Sequence, residues 1–489
     1  MKKLWIIFVG MMLLAGTMLL AGCANEPQTN HHSAKQNQNQ MSNTPDNIDK
    51  GDQQETDPDE SHEQVNLTLE ETALSYVRDL FETNYGTAYT DYAHDEVMTS
   101  QVNATIYQAL FEDLKANQGE MVRFSEVWRK SEGTYTIIAV PVELSKENVN
   151  VDVYFNDRQE IAGLQFAMYQ EGIEIEMPVS IMEEELVSNV NGFELGGTLT
   201  LPIEGDRFPV VVLVHGSGAT DRDETILSNK PFRDLAWGLA EQGIAVYRYD
   251  KRNYTYPEVF AQDIEGTLYE ETIDDAVAIV KILQSVQRID PDQIFVLGHS
   301  IGGYAMPRIA EDSREAAGFI IMAGPARGHH ELIPEQVEYL VGLDGEVDET
   351  DQAQIEAVNK EIAKLDEIDT LAPTEKILGM YKTYVQDLIA YDPVEKASSI
   401  TKPVLLLQGE RDYQVTMEDY QQWYEAFSSK RNWTFQLYPK LNHLMMPGEG
   451  KPTNQEYTQV NSVDAQVMTD VAAWIQEMTS NTSKEASTS

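Results

Sequence analysis

A doubly wound α/β domain with a mostly parallel sheet and a helical lid, preceded by a small α+β domain, is the fold predicted by this 489-residue sequence. Three observations predict it. Short continuous apolar runs recur at Val210–Val214, Ile244–Tyr249, Ile294–Leu297, Phe319–Ala323, Val404–Gln408 and Thr434–Tyr438, the pattern of strands buried on both faces. Helical stripes lie between them, and the alternation of strand and helix implies a parallel sheet covered on both sides. Upstream, two helices followed by strand-like runs separated by turn residues form a different grammar, and hence a different domain.

The helices of the larger domain are read from spacing. Phe232, Leu235, Ala236, Leu239 and Ala240 make an apolar stripe that stops at Gly243. Thr272–Leu283 repeats the pattern, and Val463, Val467, Val471, Trp474 and Met478 mark a last helix. The segment Pro325–Ser399 breaks the alternation. It is far too long for a connection between two sheet strands and reads as mostly helical, so it is assigned as a lid over the site. Pro307 falls inside the helix expected after Ile294–Leu297, where it should produce a kink and leaves that helix's length open. The domain as a whole is placed at 177–480, with the lid at 325–399.

The small domain, 65–170, opens on Thr68-Leu69-Glu70-Glu71, a capping box. Ala73, Tyr76, Val77, Leu80 and Phe81 follow at helical spacing, and a second helix fits Val102–Leu114. Met121–Trp128, Thr134–Val142, Val149–Phe155 and Ile161–Ala167 then read as a four-strand meander with turns at Glu132-Gly133 and Asn156-Asp157. Helices followed by a meander resemble the nuclear-transport-factor-like cone domains. His94 reads as an ordinary surface residue.

Before the small domain the chain has no folding pattern. Residues 1–23 carry Lys2 and Lys3, an uncharged apolar run, and Leu20-Ala21-Gly22-Cys23, the layout of a secretory signal. The ending resembles the lipobox of bacterial lipoproteins, in which the Cys becomes the lipidated first residue. An uncleaved membrane-spanning helix is the competing reading; Cys23 being the sole cysteine favours lipidation. The expected location is therefore extracytoplasmic, with a lipid anchor on Cys23 holding the protein to the bacterial cell membrane. Residues 24–64 are polar and nearly free of large apolar side chains, an acidic disordered tether in which His31, His32 and His62 are solvated. With 81 acidic and 35 basic residues the formal charge is −46, which excludes nucleic acid as a partner.

The chemistry is carried by three short stretches. Strand Ile294–Leu297 runs into Gly298-His299-Ser300-Ile301-Gly302-Gly303, a Gly-x-Ser-x-Gly pattern at a strand-to-helix turn. That turn projects the Ser300 hydroxyl above the sheet and leaves the Ile301 amide at a helix N-terminus, facing a developing oxyanion. A serine at its ordinary pKa needs a base, and imidazole is the usual one near pH 7. Of nine histidines, three lie in the tether, His94 in the small domain, His215 and His299 in glycine loops, and His329 and His330 at the start of the lid, which leaves His443. Asp412, after strand Val404–Gln408, is placed to accept from the imidazole, with Glu410 as the rival acid. The chain order Ser300, Asp412, His443 is that of α/β-hydrolases.

His215-Gly216-Ser217-Gly218, Asp221-Arg222-Asp223-Glu224, Asn229-Lys230-Pro231-Phe232 and Arg248-Tyr249-Asp250-Lys251-Arg252 resemble the corresponding segments of secreted bacterial esterases of the α/β-hydrolase superfamily. The resemblance runs from about Met177 to Met478. It implies that the Ser217 amide completes the oxyanion hole, and that Asp221, Arg222, Asp250 and Arg252 either touch substrate or form an ion-pair network beneath the loops. The leading reading is a serine hydrolase that cleaves small-molecule carboxylic esters through an acyl-enzyme, and the sequence holds no dinucleotide or metal-ligand pattern specific enough to imply a cofactor or a metal. A peptidase, aminopeptidase or acyltransferase on the same machinery is the alternative, and a non-catalytic surface binding protein a third reading.

Overall fold

A computed structural model describes residues 68–488, apart from 96–97, 100–101, 133–134, 147, 169–175 and 228. The signal segment with Cys23 and the tether lie outside the described residues. In the small unit, helix α1 (Leu69–Phe81) begins with both halves of its capping box made, Thr68 with Glu71, a device that contributes about 1 kcal/mol. It is followed by α2 (Tyr85–Thr90) and α3 (Ala104–Gln118), the last starting later than the spacing implied because Asn103 caps it, and running on to Gly119, whose φ of 97° ends it. Tyr76, Phe81, Tyr107 and Phe111 are buried with Val140, Val151 and Phe155 in a core of the unit's own.

The meander has five strands rather than four: β1 (Met121–Phe124), β2 (Trp128–Glu132), β3 (Tyr135–Leu144), β4 (Val149–Phe155) and β5 (Ile161–Met168). The run expected as one strand, Met121–Trp128, is split, and both halves pair with the same edge of β3. The break faces Pro141, whose carbonyl takes the Ser125 amide but which has no N–H to return. His94 also departs from expectation. It is half-buried, 3.3 Å from the Tyr107 hydroxyl and packed on Tyr76 and Tyr89, and burial lowers its pKa.

The second unit is built on an eight-stranded sheet. Its strands are β6 (Ile181–Glu185), β9 (Gly197–Pro202), β10 (Phe208–Val214), β11 (Ala245–Tyr249), β12 (Ile289–His299), β13 (Gly318–Met322), β16 (Val404–Gly409) and β17 (Trp433–Tyr438). A hairpin, β7 (Ser188–Val190) and β8 (Phe193–Leu195), stands outside it. The order is β17-β16-β13-β12-β10-β11-β9-β6. Six strands are parallel, and β9 and β6 add an antiparallel edge absent from the sequence reading. Along β10, Val210, Val212 and Val214 enter one core while Val211 and Leu213 enter the other. Both faces are therefore dry, which is why these strands read as unbroken apolar runs.

Helices α4 (Pro231–Ala240) and α14 (Ala465–Thr488) contribute to the second core; α7 (Asp274–Leu283) and α8 (Ile301–Asp312) contribute to the first. Between α4 and α7 come α5 (Arg252–Thr255), α6 (Pro257–Ala261) and a turn of π-helix, Tyr269–Ile273. Helix α8 runs for 12 residues with Pro307 inside it, so the proline omits one hydrogen bond without ending the helix. The chain leaves β10 toward β11 on one side and returns to β12 on the other. The loops after β10 and β12 thus meet at the point where strand order reverses, the usual place for a site in an open α/β sheet.

The lid segment holds α9 (His329–Val341), α10 (Glu349–Ala363), a 3₁₀ turn (Lys364–Thr370), the two-residue strands β14 (Lys376–Ile377) and β15 (Met380–Tyr381), α11 (Lys382–Ile389) and α12 (Pro393–Ala397). Ile333, Ile368, Ile377, Leu378 and Val385 form a small core within it. The chain then continues through β16 to α13 (Met417–Phe427) and β17.

Candidate active site

Ser300 stands between β12 and α8 with φ 53° and ψ −117°, a left-handed conformation that costs a non-glycine residue about 1–3 kcal/mol. The elbow is held by its neighbours. A Cβ on Gly298 would lie 2.2 Å from the Gly302 carbonyl oxygen, and one on Gly302 would lie 2.5 Å from that of Val214, so neither position admits a side chain. The Ser300 amide donates to the Met322 carbonyl at 3.0 Å, tying the turn to β13.

Asp412 and His443, far apart in sequence, come together. His443 Nδ1 lies 2.7 Å from Asp412 Oδ2, and both side chains are buried. Asp412 Oδ1 accepts the amides of Gln414 and Val415 at 2.8 and 2.9 Å, and Gln408 Nε2 approaches Oδ2 at 3.3 Å. Acceptance by Oδ1 of two backbone donors fixes which oxygen faces the imidazole. The His443 loop is wound equally tightly: Asn442 Oδ1 takes the Leu444 and Met446 amides at 3.1 and 3.2 Å. Glu456 bridges the two loops, receiving Asn442 Nδ2 at 3.2 Å and pairing with Arg411. The rival acid Glu410 is exposed.

On the other side, the loop after β10 is held by charge. Lys251, almost wholly buried, donates to the carbonyls of Gly216 and Gly218 at 2.8 and 3.1 Å and to Glu271 Oε1 at 2.5 Å. In a trans peptide the C=O and the following N–H point oppositely. A Gly216 carbonyl turned toward Lys251 therefore turns the Ser217 amide away from it. Among the described residues no acceptor takes the Ser217 or the Ile301 amide. Gly216 itself packs close: a Cβ there would be 3.3 Å from Ser300 Cβ. From the lid, His329 Nε2 reaches Ser217 Oγ at 3.3 Å, and burial pushes its pKa down to about 4, so it is neutral at pH 7.

Three of the four family-type residues, Arg222, Asp250 and Arg252, are ion-paired, and Asp221 is hydrogen-bonded. Arg222 pairs with Asp250 at 2.7 Å and Glu185 at 2.8 Å, Arg252 pairs with buried Asp275, and Asp221 accepts from Thr225 at 2.7 Å. Sequence reading missed Lys251 and Glu271 as holders of the loop, Glu224 as a buried acid, and His299 as more than a spacer in the glycine loop. Glu224 and His299 were signalled only as ionisable residues in or near glycine-containing loops, and nothing in their spacing marked Lys251 or Glu271.

Glu224 and His299 are each about 2% exposed, with Glu224 Oε2 2.9 Å from His299 Nδ1. Glu224 Oε1 takes the Gly216 amide at 2.5 Å, and His299 Nε2 donates to the His443 carbonyl at 3.0 Å. Burial lowers the pKa of His299, but the Glu224 carboxylate outweighs it and the net direction is upward. Burial raises that of Glu224, and the His299 charge reverses it.

Residues 206–450 match the family described as serine aminopeptidase, S33. The esterase EstD of Thermotoga maritima is 34% identical over 415 residues, which span 83% of this chain and 95% of the relative. Among solved structures, Est1E from Butyrivibrio proteoclasticus aligns at 17% identity with a TM-score of 0.39, over 60% of this chain and 99% of its own. A Pyrobaculum calidifontis esterase aligns at 16% identity with a TM-score of 0.39, over 61% of this chain and 85% of its own.

Proposed function

From a chain that belongs to the family described as serine aminopeptidase, S33, we propose a specific route for the carboxylic ester hydrolysis that this α/β-hydrolase performs. Ser300 Oγ bonds to the ester carbonyl carbon while its proton passes to His443 Nε2. The amides of Ser217 and Ile301 receive the oxyanion, and the proton is handed on to the departing alkoxide. Water then repeats the sequence against the acyl-enzyme and releases the acid. The observation that carries this reading is the pairing of His443 Nδ1 with buried Asp412 at 2.7 Å. A carboxylate on Nδ1 keeps the proton there and leaves Nε2 with the lone pair that a base requires.

The family's description favours one further reading, release of an N-terminal amino acid. That chemistry calls for an unpaired carboxylate to hold the substrate's ammonium group. Two buried acids bound to the loop after β10 are already engaged, Glu224 with His299 and Glu271 with Lys251 and Tyr384. Esters are therefore the better fit. Turnover of short p-nitrophenyl esters should exceed that of aminoacyl p-nitroanilides by about 10³-fold or more in kcat/KM, more than the one or two decades that a pocket contact supplies. Faster anilide cleavage would make the protein an aminopeptidase. Within the ester panel, the lid helices are the proposed source of acyl-chain preference.

Two proposals concern the remaining chain. The small unit, helices on an antiparallel sheet with a separate core, fits the cone-domain reading; an experimental structure lacking the concave sheet face of that fold would remove it. Cys23 is proposed to carry a diacylglyceryl anchor, two chains being enough for stable attachment. Cys23→Ser should then leave the membrane fraction. A processed Cys23→Ser protein that still sediments with membranes would sink the anchor.

A further inference from the structure

We infer that Glu224 and His299 are a positioning pair that locks the oxyanion loop, the serine elbow and the base loop into one rigid unit. The inference rests on the ester-hydrolase reading above and adds residues to it that touch no substrate. Its basis is connectivity. Glu224 Oε1 holds the Gly216 amide at 2.5 Å, on the loop whose next amide is Ser217. Its other oxygen faces His299 Nδ1 at 2.9 Å, and His299 immediately precedes Ser300. His299 Nε2 reaches the backbone carbonyl of His443 at 3.0 Å, and the two imidazoles lie with centroids 4.7 Å apart. One buried pair thus contacts all three loops that must agree in position for acyl transfer.

The protonation states follow from the partners. A carbonyl oxygen only accepts, so Nε2 of His299 carries a hydrogen. Glu224 Oε2 faces Nδ1 at 2.9 Å, an ion-pair contact without the alignment of a hydrogen bond, and two facing lone pairs there would repel, so the pair keeps one further proton. The pair therefore carries zero net charge, and the upward direction at His299 and downward direction at Glu224 favour the proton on the imidazole. His215, beside Glu224, is pushed down to about 4 by burial and does not compete as the counter-ion at pH 7. Glu224 adopts φ 51°, a left-handed conformation for a residue with a long side chain, as expected of a position fixed by its contacts.

The test is kinetic, on the full-length protein with p-nitrophenyl acetate. Glu224→Ala and His299→Ala should lower kcat about 10²-fold, the cost of a misplacement on the ångström scale, with KM within threefold. Glu224→Gln keeps an acceptor for Gly216 and a donor for neutral His299, and should lose only about tenfold, the margin between charged and neutral hydrogen bonds. His299→Gln places an amide donor toward the His443 carbonyl but strands the Glu224 anion. The double variant Glu224→Gln/His299→Gln should then be more active than His299→Gln alone, because the stranded buried charge is gone.

Thermal unfolding identifies any alanine variant that does not fold, and the glutamine series then decides. Unchanged kcat in Glu224→Gln, a loss confined to KM, or losses that multiply in the double variant would each overturn the inference. Ser300→Ala run alongside separates the two levels: if it is inactive while the Glu224 variants are fully active, only the positioning pair fails, and if it is active the ester-hydrolase route itself fails.

Discussion

Ser300→Ala and His443→Ala should each lower kcat for ester hydrolysis by about 10⁴- to 10⁶-fold, and the double variant should be no more than a few-fold worse than either. The magnitude follows from the division of labour in the site. Without Oγ there is no acyl-enzyme, and without the imidazole the hydroxyl keeps its proton. Either deletion removes the whole covalent route, so the second has little left to remove. On the proposed route, what survives in all three variants is the pair of amides at Ser217 and Ile301, which would still polarise a bound ester for attack by water. The stability of Ser300→Ala should change little, because Ser300 is only half-buried and its φ of 53° is retained by the glycines around it, whereas His443→Ala leaves the buried Asp412 carboxylate without its partner and should unfold at a lower temperature. Kinetics on a short p-nitrophenyl ester, with thermal unfolding as the control, checks both statements. Residual activity within tenfold of the parent, or a double variant whose loss equals the product of the singles, would remove Ser300 and His443 from the reaction.

The parallel strands and the serine elbow were legible because local rules govern them. Val210–Val214 reads as a strand without any partner in view, since both its faces are buried and no polar residue interrupts it. Ser300 is marked by glycines that steric contact demands within four residues of it. The proposed base, His443, is reached by elimination among nine histidines, and the structure pairs it with Asp412, although His94 and His299 are more buried than their sequence positions implied. The supporting residues obey no such rule. Lys251 reaches back 35 positions to Gly216, and His299 reaches 144 positions forward to the His443 carbonyl. Nothing near Lys251 in sequence differs from an exposed lysine after a strand. Edge strand β6 fails for another reason: Ile-Met-Glu-Glu-Glu has one buried residue and no alternation. His94 was misplaced because its burial comes from Tyr76 and Tyr107, aromatic residues on helices that flank it in the chain.

Asp412→Asn should cost on the order of 10³- to 10⁴-fold in kcat, while Glu410→Gln stays within about twofold of the parent. The difference comes from how the carboxylate is held. Oδ1 accepts two backbone amides, from Gln414 and Val415. In the asparagine variant that position must remain an oxygen, because an amide nitrogen there would confront two N–H donors. The new NH₂ group is therefore forced into the place of Oδ2, which faces His443 Nδ1 at 2.7 Å in the parent. Nδ1 must then accept rather than donate, the ring proton moves to Nε2, and the nitrogen that should take the serine proton has no lone pair to offer. The protein stays folded and the imidazole stays in place, but in the wrong tautomer. Glu410, exposed two residues earlier, contacts the site only through its backbone, whose amide donates to Tyr438 at 2.9 Å. Removing its charge leaves that bond untouched. A comparison of kcat for the two variants at pH 7 decides between the acids: a severe Glu410→Gln beside a mild Asp412→Asn would transfer the role to Glu410 and require the loop after β16 to rearrange before reaction.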